Sequence, residues 1–304
     1  RKTVYTIRQQ LLLGTYKPEV LDDEGKPTGK ARKIETLPRI TEEIAPAVDA
    51  MFLSHQAVPE GDEKPTQKAD KVKALRDFEA LRNDVYQAFG YRFDAKESEE
   101  KDAKKLYERL SKELPQSLTE QRERLLDLVD GIVSAMVEEH CPANKAAPED
   151  WDWKGMRTGF LEHFGTKPKD FDHLGDRGDV AHALYTQAAA ILDEREKDMG
   201  VELLLRVFRH FYLEEIDRQW VEHLTNMEHL RDGIGLRGYG QRDPKQEYKK
   251  EGYNLFVNMV ARVSSDVVTS LFRIQVKRPE EELALEQADL LRNAELLRGA
   301  VAQH

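Results

Sequence analysis

The chain is poor in the residues that build cross-linked or metal-held scaffolds, because it contains a single cysteine, Cys141, among 304 residues. One cysteine makes no internal disulfide and cannot supply the paired thiolates of a structural zinc site. We therefore expect a fold held together by packing alone, in a reducing compartment, for which the cytoplasm is the simplest interpretation.

Long apolar runs and a nucleotide-binding loop are also missing. No run of apolar residues approaches the roughly 18–20 residues that a membrane-spanning helix needs, and no signal peptide is recognisable. The pattern G-x-x-x-x-G-K-[ST], whose backbone holds nucleotide phosphates, does not occur. The sequence thus predicts neither an integral membrane protein nor an NTPase, and we expect no cofactor in this chain.

The histidines and carboxylates form no recognisable metal site or catalytic pair. His223 would need a second histidine four residues later to make a helix-borne zinc pair, but His229 is six residues away. We interpret His223 as a packing or surface residue. Acidic residues number 57, so no pair stands out as an acid–base dyad. No catalytic and no metal-binding residue is predicted.

What the sequence does contain is charge and helical periodicity. Charged residues make up 34% of the chain, and the net charge is −10. Because the chain is acidic overall, we do not expect nucleic acid among its partners. Strand signals are few, and apolar residues recur at steps of three and four. We predict an all-α chain with helices over 40–53, 69–89, 97–114 and 119–138, preceded by a loop or hairpin over 14–35.

The strongest pattern predicts two long helices joined by a glycine-rich connection. Gly233 and Gly235 predict the end of the first helix. Asp243 followed by Pro244 predicts the start of the second, with an N-cap side chain and a proline at the first helical position. The apolar stripes consist of Phe208, Tyr212, Ile216, Trp220, Leu224 and Met227 in the first helix, and of Tyr248, Leu255, Phe256, Met259, Val263, Val267, Leu271 and Ile274 in the second.

Three glycines of the connection also match the dinucleotide fingerprint G-x-G-x-x-G, namely Gly233, Gly235 and Gly238. That fingerprint requires a β-strand before it and a helix directly after it, whereas a long helix is predicted before these glycines. We interpret them as a helix connector rather than as a nucleotide site.

The run over residues 217–251 closely resembles the two-helix finger of the SecA family of bacterial preprotein translocase motors. It shares, without a gap, the pattern W-x-E-H-L-x-x-M-x-x-L-R-x-G-I-x-L-R-G-Y-x-Q-x-D-P-x-x-E-Y. Two weaker resemblances occur in the order of the family. Residues 1–13 are similar to the end of its long scaffold helix, and residues 141–155 are similar to its helical wing.

The resemblance implies the end of a long scaffold helix at 1–13, a helical wing at 14–200 and an antiparallel two-helix finger at 201–278. A charged C-terminal helix or tail would follow at 279–304. Within the wing, residues about 14–125 exceed the family pattern, and we interpret them as a lineage-specific insertion. Since the chain begins with Arg1 and lacks both the motor domains and the cysteine-rich tail of the family, we interpret it as a segment of a longer protein.

The resemblance also assigns a role to the tip of the finger. Tyr239 would contact the translocating polypeptide at the mouth of the SecY channel, with Gly238 and Gly240 allowing it to reorient. The alternative is that Tyr239 packs back onto its own hairpin. Other predicted contact residues are Ile234, Leu236, Arg237, Gly238 and Gln241.

The tip is basic, with six basic and three acidic residues between positions 231 and 250. These side chains suit acidic channel loops or acidic phospholipids, or they are simply a solvated helix end. The predicted basic residues are Arg231, Arg242, Lys245, Lys249 and Lys250. The residues predicted to pack inside the finger are Trp220, Leu224, Met227 and Phe256. Gly235 and Gly240 stand where the family usually has larger residues and predict a looser tip. Gly252, near the start of the second helix, costs about 1 kcal/mol relative to alanine.

By the same resemblance, ATP and Mg²⁺ would bind to motor domains outside this chain. The implied partners are the SecY channel complex, an unfolded secretory preprotein and those motor domains, at the cytoplasmic side of the bacterial inner membrane. Apolar surface left uncovered makes self-association a further expectation. Two other hypotheses stay open: a non-catalytic helical interaction module unrelated to translocation, and a nucleotide-using enzyme based on the glycine match alone.

Overall fold

The computed structural model describes residues 1–21, 27–32, 34–57, 65–94, 102–142, 147–234 and 243–274. Within these ranges the chain forms eight α-helices and one two-stranded antiparallel hairpin, so the predicted all-α class is confirmed. The elements are α1 (Lys2–Leu13), β1 (Glu19–Leu21), β2 (Pro27–Ala31), α2 (Leu37–Ser54), α3 (Phe78–Phe89), α4 (Ala103–His140), α5 (Trp153–Phe164), α6 (Arg177–Met199), α7 (Val201–Ile234) and α8 (Pro244–Arg273).

One compact unit, Arg1–Phe272, contains the hydrophobic core. A second unit, Arg273–His304, lies almost wholly outside the described residues. The predicted charged helix or tail at 279–304 therefore stays a prediction.

The 38-residue helix α4 is the centre of the fold, and it contacts α2, α5, α6 and α7. Its buried apolar side chains recur at steps of three and four, which keeps them on one broad face of a helix. They include Leu106, Leu110, Leu114, Leu118, Leu125, Val129, Val133 and Val137.

The predicted break between helices at 97–114 and 119–138 is wrong, because α4 continues through Pro115. A proline inside a helix costs about 3 kcal/mol through a lost hydrogen bond and a clash with the preceding turn. Here the residues on both sides of it, Leu114 and Leu118, are fully buried, and each buried leucine contributes about 1.5–3 kcal/mol. The Thr119 hydroxyl also donates to the Pro115 carbonyl at 2.7 Å. Packing therefore outweighs the local penalty.

The predicted helix at 69–89 is also shorter than expected. A single 3-10 turn spans Ala69–Lys71, and α3 begins only at Phe78. Asp77 explains this start, because its carboxylate accepts from the Ala80 N–H at 3.0 Å and so caps the helix. The loop or hairpin predicted at 14–35 is confirmed as the antiparallel pair β1–β2.

Two tryptophans, Trp151 and Trp153, lie in a small aromatic cluster at the start of α5. The rings of Trp151 and Trp153 are 5.4 Å apart, and Phe171 lies 5.8 Å from Trp153. The Trp153 indole N–H donates to the Pro148 carbonyl at 3.0 Å. The cluster anchors the N-terminal end of α5, where Asp152 accepts from the Gly155 N–H at 2.9 Å.

Helix α1 lies along the first part of α7. The Arg8 guanidinium pairs with Asp217 at 2.8 Å, and Val4 and Leu11 are buried. At its C-terminal end, the Gly14 carbonyl accepts from the Ser117 hydroxyl of α4 at 2.6 Å. The start of the chain is thereby fixed both to α7 and to the central helix.

Candidate functional site

The candidate site is the helical hairpin formed by α7 and α8, which we call the finger. Helix α7 ends at Ile234, and α8 begins at Pro244. The Asp243 carboxylate accepts from the Lys245 N–H at 2.9 Å, and its carbonyl accepts from the N–H groups of Gln246 and Glu247, each at 3.1 Å. The N-cap and first-position proline predicted from the sequence are therefore confirmed.

Most of the predicted tip lies outside the described residues, which stop at 234 and resume at 243. The predicted polypeptide-contacting role of that tip stays a prediction. Ile234 is the last residue of α7 and is buried. The predicted tip residues outside the described ranges are Leu236, Arg237, Gly238, Tyr239, Gln241 and Arg242.

The described basic residues of the tip are exposed. Arg231 pairs with its neighbour Asp232 at 3.4 Å. Lys245, Lys249 and Lys250 project from the first two turns of α8. A cation near a helix N-terminus opposes the helix macrodipole, so Lys245 does not stabilise the helix it begins.

Polar pairs join the two finger helices along one edge. The Gln219 amide donates to Asp266 at 2.9 Å, and the Arg218 guanidinium pairs with the same carboxylate at 3.2 Å. Further out, Arg262 of α8 pairs with Glu222 of α7 at 3.3 Å. Such exposed pairs contribute little stability each, but their order fixes the two helices as antiparallel and sets their register.

Aromatic packing holds the middle of the finger. The His223 ring stacks on Trp220 with centroids 5.5 Å apart, and the edge of Phe256 meets it at 5.9 Å. Burial lowers the pKa of His223 below its ordinary value, so the neutral ring is favoured. His223 is thus a packing residue that lies between the rings of Trp220 and Phe256.

Met227 packs where α8 has no side chain. A Cβ atom at Gly252 would lie 2.9 Å from the Met227 methyl carbon, so the glycine makes room for this contact. The predicted cost of Gly252 is therefore accompanied by a contact with Met227 that a larger side chain would obstruct. Leu224, in contrast, is 36% exposed, so it is less covered than the other three residues predicted to pack inside the finger.

The physical reason is the pitch of the helix. Steps of four residues advance by 400°, so a strict four-residue stripe drifts by about 40° at each step. After Ile216 the buried positions move to Gln219 and His223, so Leu224 is left more exposed. Gln219 was not among the predicted packing residues, because a polar side chain gives no apolar signal.

Helix α8 is, among the described residues, the helix that is long and apolar enough to cross a membrane by length and composition alone. Arg262 and Asp266 nevertheless interrupt its apolar residues, so the stretch is not a continuous apolar run. Core helices pass the same test, and the inner half of α8 is core, with Val267, Val268 and Leu271 buried. Phe272 contacts the wing, with its ring 5.2 Å from that of Phe164.

Comparison with known proteins identifies the region that contains this hairpin. Residues 100–275 match the family model described as the SecA Wing and Scaffold domain, and residues 1–99 lie outside that match. The matched region extends from just before α4 to the end of α8.

Individual relatives agree with this match. The chain is 52% identical over 314 residues to the protein translocase subunit SecA of Sorangium cellulosum, an alignment that covers 100% of this chain and 31% of that relative. It is 42% identical over 180 residues to the SecA of an Anaeromyxobacter species and 37% identical over 169 residues to that of Pelobacter propionicus. Those alignments cover 56% and 55% of this chain, and 19% of each relative. The chain thus spans less than a third of the length of these relatives.

Proposed function

The chain belongs to the SecA family, as part of its wing and scaffold region, and we propose that it is the polypeptide-handling part of an ATP-driven protein-export motor. In this proposal the finger presents residues 235–242 to an unfolded preprotein at the SecY channel. Tyr239 contacts the polypeptide, and so does Ile234 at the end of α7.

The observation that carries the proposal is the form of the finger itself. Helices α7 and α8 are 34 and 30 residues long, and their outer ends leave the core and converge on the motif-bearing connection. Exposed lysines begin α8, where they oppose the helix dipole. A long hairpin with a basic end is suited to reach a partner that lies away from the body of the protein.

The proposed partners divide between the two ends of the finger. The basic residues beside the tip meet acidic loops of the channel or acidic phospholipids, with a strength that falls as salt concentration rises. At the other end, motor domains outside this chain bind ATP and Mg²⁺ and move the finger. The protein then works at the cytoplasmic face of the bacterial inner membrane, and this chain alone hydrolyses no ATP.

Exposed apolar side chains on the finger favour a second candidate, a non-catalytic interaction module that binds a partner helix or a second copy. Val221 is 65% exposed and Tyr253 is 68% exposed. Sedimentation of the chain over a range of concentrations checks this candidate. Self-association that Val221→Glu and Tyr253→Glu abolish supports it, and a monomer at all concentrations counts against it.

Site-specific crosslinking tests the translocase proposal. A photo-reactive phenylalanine analogue replaces Tyr239 in the full-length protein, which is then stalled with a secretory polypeptide on channel-containing membranes. We expect an ATP-dependent and channel-dependent crosslink to the polypeptide. The same analogue at the exposed position Val221 is the matched control and should give little crosslink. If the analogue at position 239 gives no crosslink while positions in the motor domains still do, the proposal is contradicted.

A further inference from the structure

Residues 1–99 lie outside the matched family region, yet besides α1 two further helices that they form contact the root of the finger. Helix α2 packs on α4, and α3 packs on α7. The contacts meet α7 at its beginning, where Gly200 separates it from α6. Gly200 has a φ of 79° and a ψ of 149°, so the backbone leaves helical geometry at this joint.

The first contact is an acceptor supplied to the start of α7. The Glu43 carboxylate of α2 accepts from the Val201 N–H at 3.0 Å. Val201 is the first residue of α7, and its N–H is one of the four that have no partner inside the helix. A carboxylate at this position also complements the positive end of the helix dipole.

The second contact lies two turns further along α7. Its charged side chain is a cation, whereas that of the first contact is an anion. The buried Arg209 guanidinium rests against Gly90, the residue that ends α3, and it stands over the Tyr86 ring at 5.0 Å. A Cβ atom at position 90 would lie 1.2 Å from an Arg209 nitrogen. A cation at the C-terminus of α3 complements the negative end of that helix dipole, and the ring face adds a cation–π contact.

Helix α6, which precedes Gly200, is also fixed by ion pairs. Glu196 of α6 is buried, and it forms an ion pair with Arg122 of α4 at 2.6 Å and with Arg39 of α2 at 2.5 Å. One helix of residues 1–99, α2, thus touches both sides of Gly200, through Arg39 before it and Glu43 after it.

We infer that helices α2 and α3 brace the joint between the wing and the finger, with Glu43 and Arg209 as the residues that fix the direction of α7. The lever is long. At 1.5 Å per residue the 34 residues of α7 span about 51 Å, so a change of about 10° at the root displaces the outer end by about 9 Å. The consequence for translocation rests on the proposed function, whereas the brace itself does not.

Distance measurements in the full-length protein test the brace. Spin labels on non-canonical residues replace Glu228 on the outer part of α7 and Lys167 after α5, both of which are exposed. For the pair of substitutions Glu43→Ala and Arg209→Met we expect the distance distribution to broaden by about twofold, since the root of α7 is freed. The matched control, Glu42→Ala with Arg206→Met, changes two exposed neighbours on the same helices and should keep the wild-type width.

Conservative changes separate positioning from general destabilisation. The Glu43→Gln amide oxygen still accepts from Val201, and Arg209→Lys keeps the cation, so this pair should restore most of the wild-type width. A distribution in the Ala and Met variant that keeps the wild-type width, with the helical signal and melting temperature retained, would overturn the inference. If that variant fails to fold, Glu43→Ala alone provides the same comparison. No substrate or channel is present, so the outcome is independent of the crosslink from position 239.

Discussion

The inner and outer halves of the finger differ sharply in how they are held. In the inner half Phe208, Tyr212 and Ile216 of α7 are buried, and so are Val263 and Val267 of α8. In the outer half Val221 and Tyr253 are more than 60% exposed. The same two helices are therefore core elements at one end and a slender hairpin at the other.

The difference follows from the number of neighbours. Helix α7 contacts α1, α3, α4 and α6, whereas in its outer part Glu222 and His223 contact Arg262 and Phe256 of α8. Because helices in proteins gain most of their stability from tertiary packing, opening of the outer half should cost much less free energy than opening of the root. The finger is therefore rigid at its root, where α7 is anchored, and opens more easily in its outer half, where it is proposed to contact its partners.

The largest predicted effect contrasts two residues of α7. Phe208→Ala removes a ring that is 1% exposed and should lower the free energy of unfolding by about 3–5 kcal/mol. Val221→Ala, in the outer half, should change it by less than about 0.5 kcal/mol. Urea denaturation of both variants measures the contrast. Equal losses would remove the distinction between the two halves.

The second largest loss of stability should follow from breaking the buried ion pairs at the root of the finger. Glu196→Ala leaves the buried Arg122 guanidinium without its main partner and should cost about 3 kcal/mol. The double variant Arg122→Met with Glu196→Met should lose less, because no charge stays buried alone. Glu194→Ala, an exposed change on the same helix, serves as the control in the same denaturation assay. A double variant less stable than the single one would contradict this explanation.

Substitution of Gly90, which lies against Arg209, should lower the stability by a smaller amount. Gly90→Ala forces alanine into a φ of 67° and pushes its Cβ into Arg209, which should cost about 2 kcal/mol or more. Gly29 has a similar φ of 74°, with nothing within 4 Å of the added Cβ, so Gly29→Ala should cost only about 1 kcal/mol. The difference between the two melting temperatures reports the Arg209 contact alone. No difference would mean that Arg209 simply moves aside.

The smallest effect concerns pH and the outer half. Burial lowers the pKa of His223, so the unfolded chain binds its proton more readily than the folded one. Stability should therefore be complete above the ordinary histidine pKa of about 6.5 and should decrease as pH falls below it. Unfolding midpoints at about pH 7.5 and about pH 5.5 measure this decrease. His223→Phe should reduce it and the exposed-site control His229→Phe should not. An unchanged pH dependence in His223→Phe would refute the assignment.

The parts of the finger that the sequence predicts correctly have local causes. Asp243 and Pro244 determine the start of α8 through contacts within one turn. The positions of Trp220 and Phe256 follow from helical spacing. In each case the residues that decide the structure are close together in the sequence, and their pattern carries the information.

The parts that were missed depend on distant residues. Helix α4 runs through Pro115 because packing from several helices compensates the local penalty. The contact of Arg209 with Gly90 joins two helices that are far apart in the chain. No pattern in the sequence around either residue predicts this contact. The 36% exposure of Leu224 could not be predicted either, because it depends on the drift of the apolar stripe along α7. Such contacts emerge only once the helices are placed in three dimensions.

Hydrogen exchange along the finger tests the central claim most directly. In the intact chain at neutral pH, amides of residues 208–216 and 263–271 should exchange only through opening near the global free energy of unfolding. Amides of residues 222–230 and 250–256 should exchange at least about tenfold faster, since their opening leaves the root folded. Uniform protection from the root to the ends of both helices would contradict the claim that the finger is anchored at one end and yielding at the other.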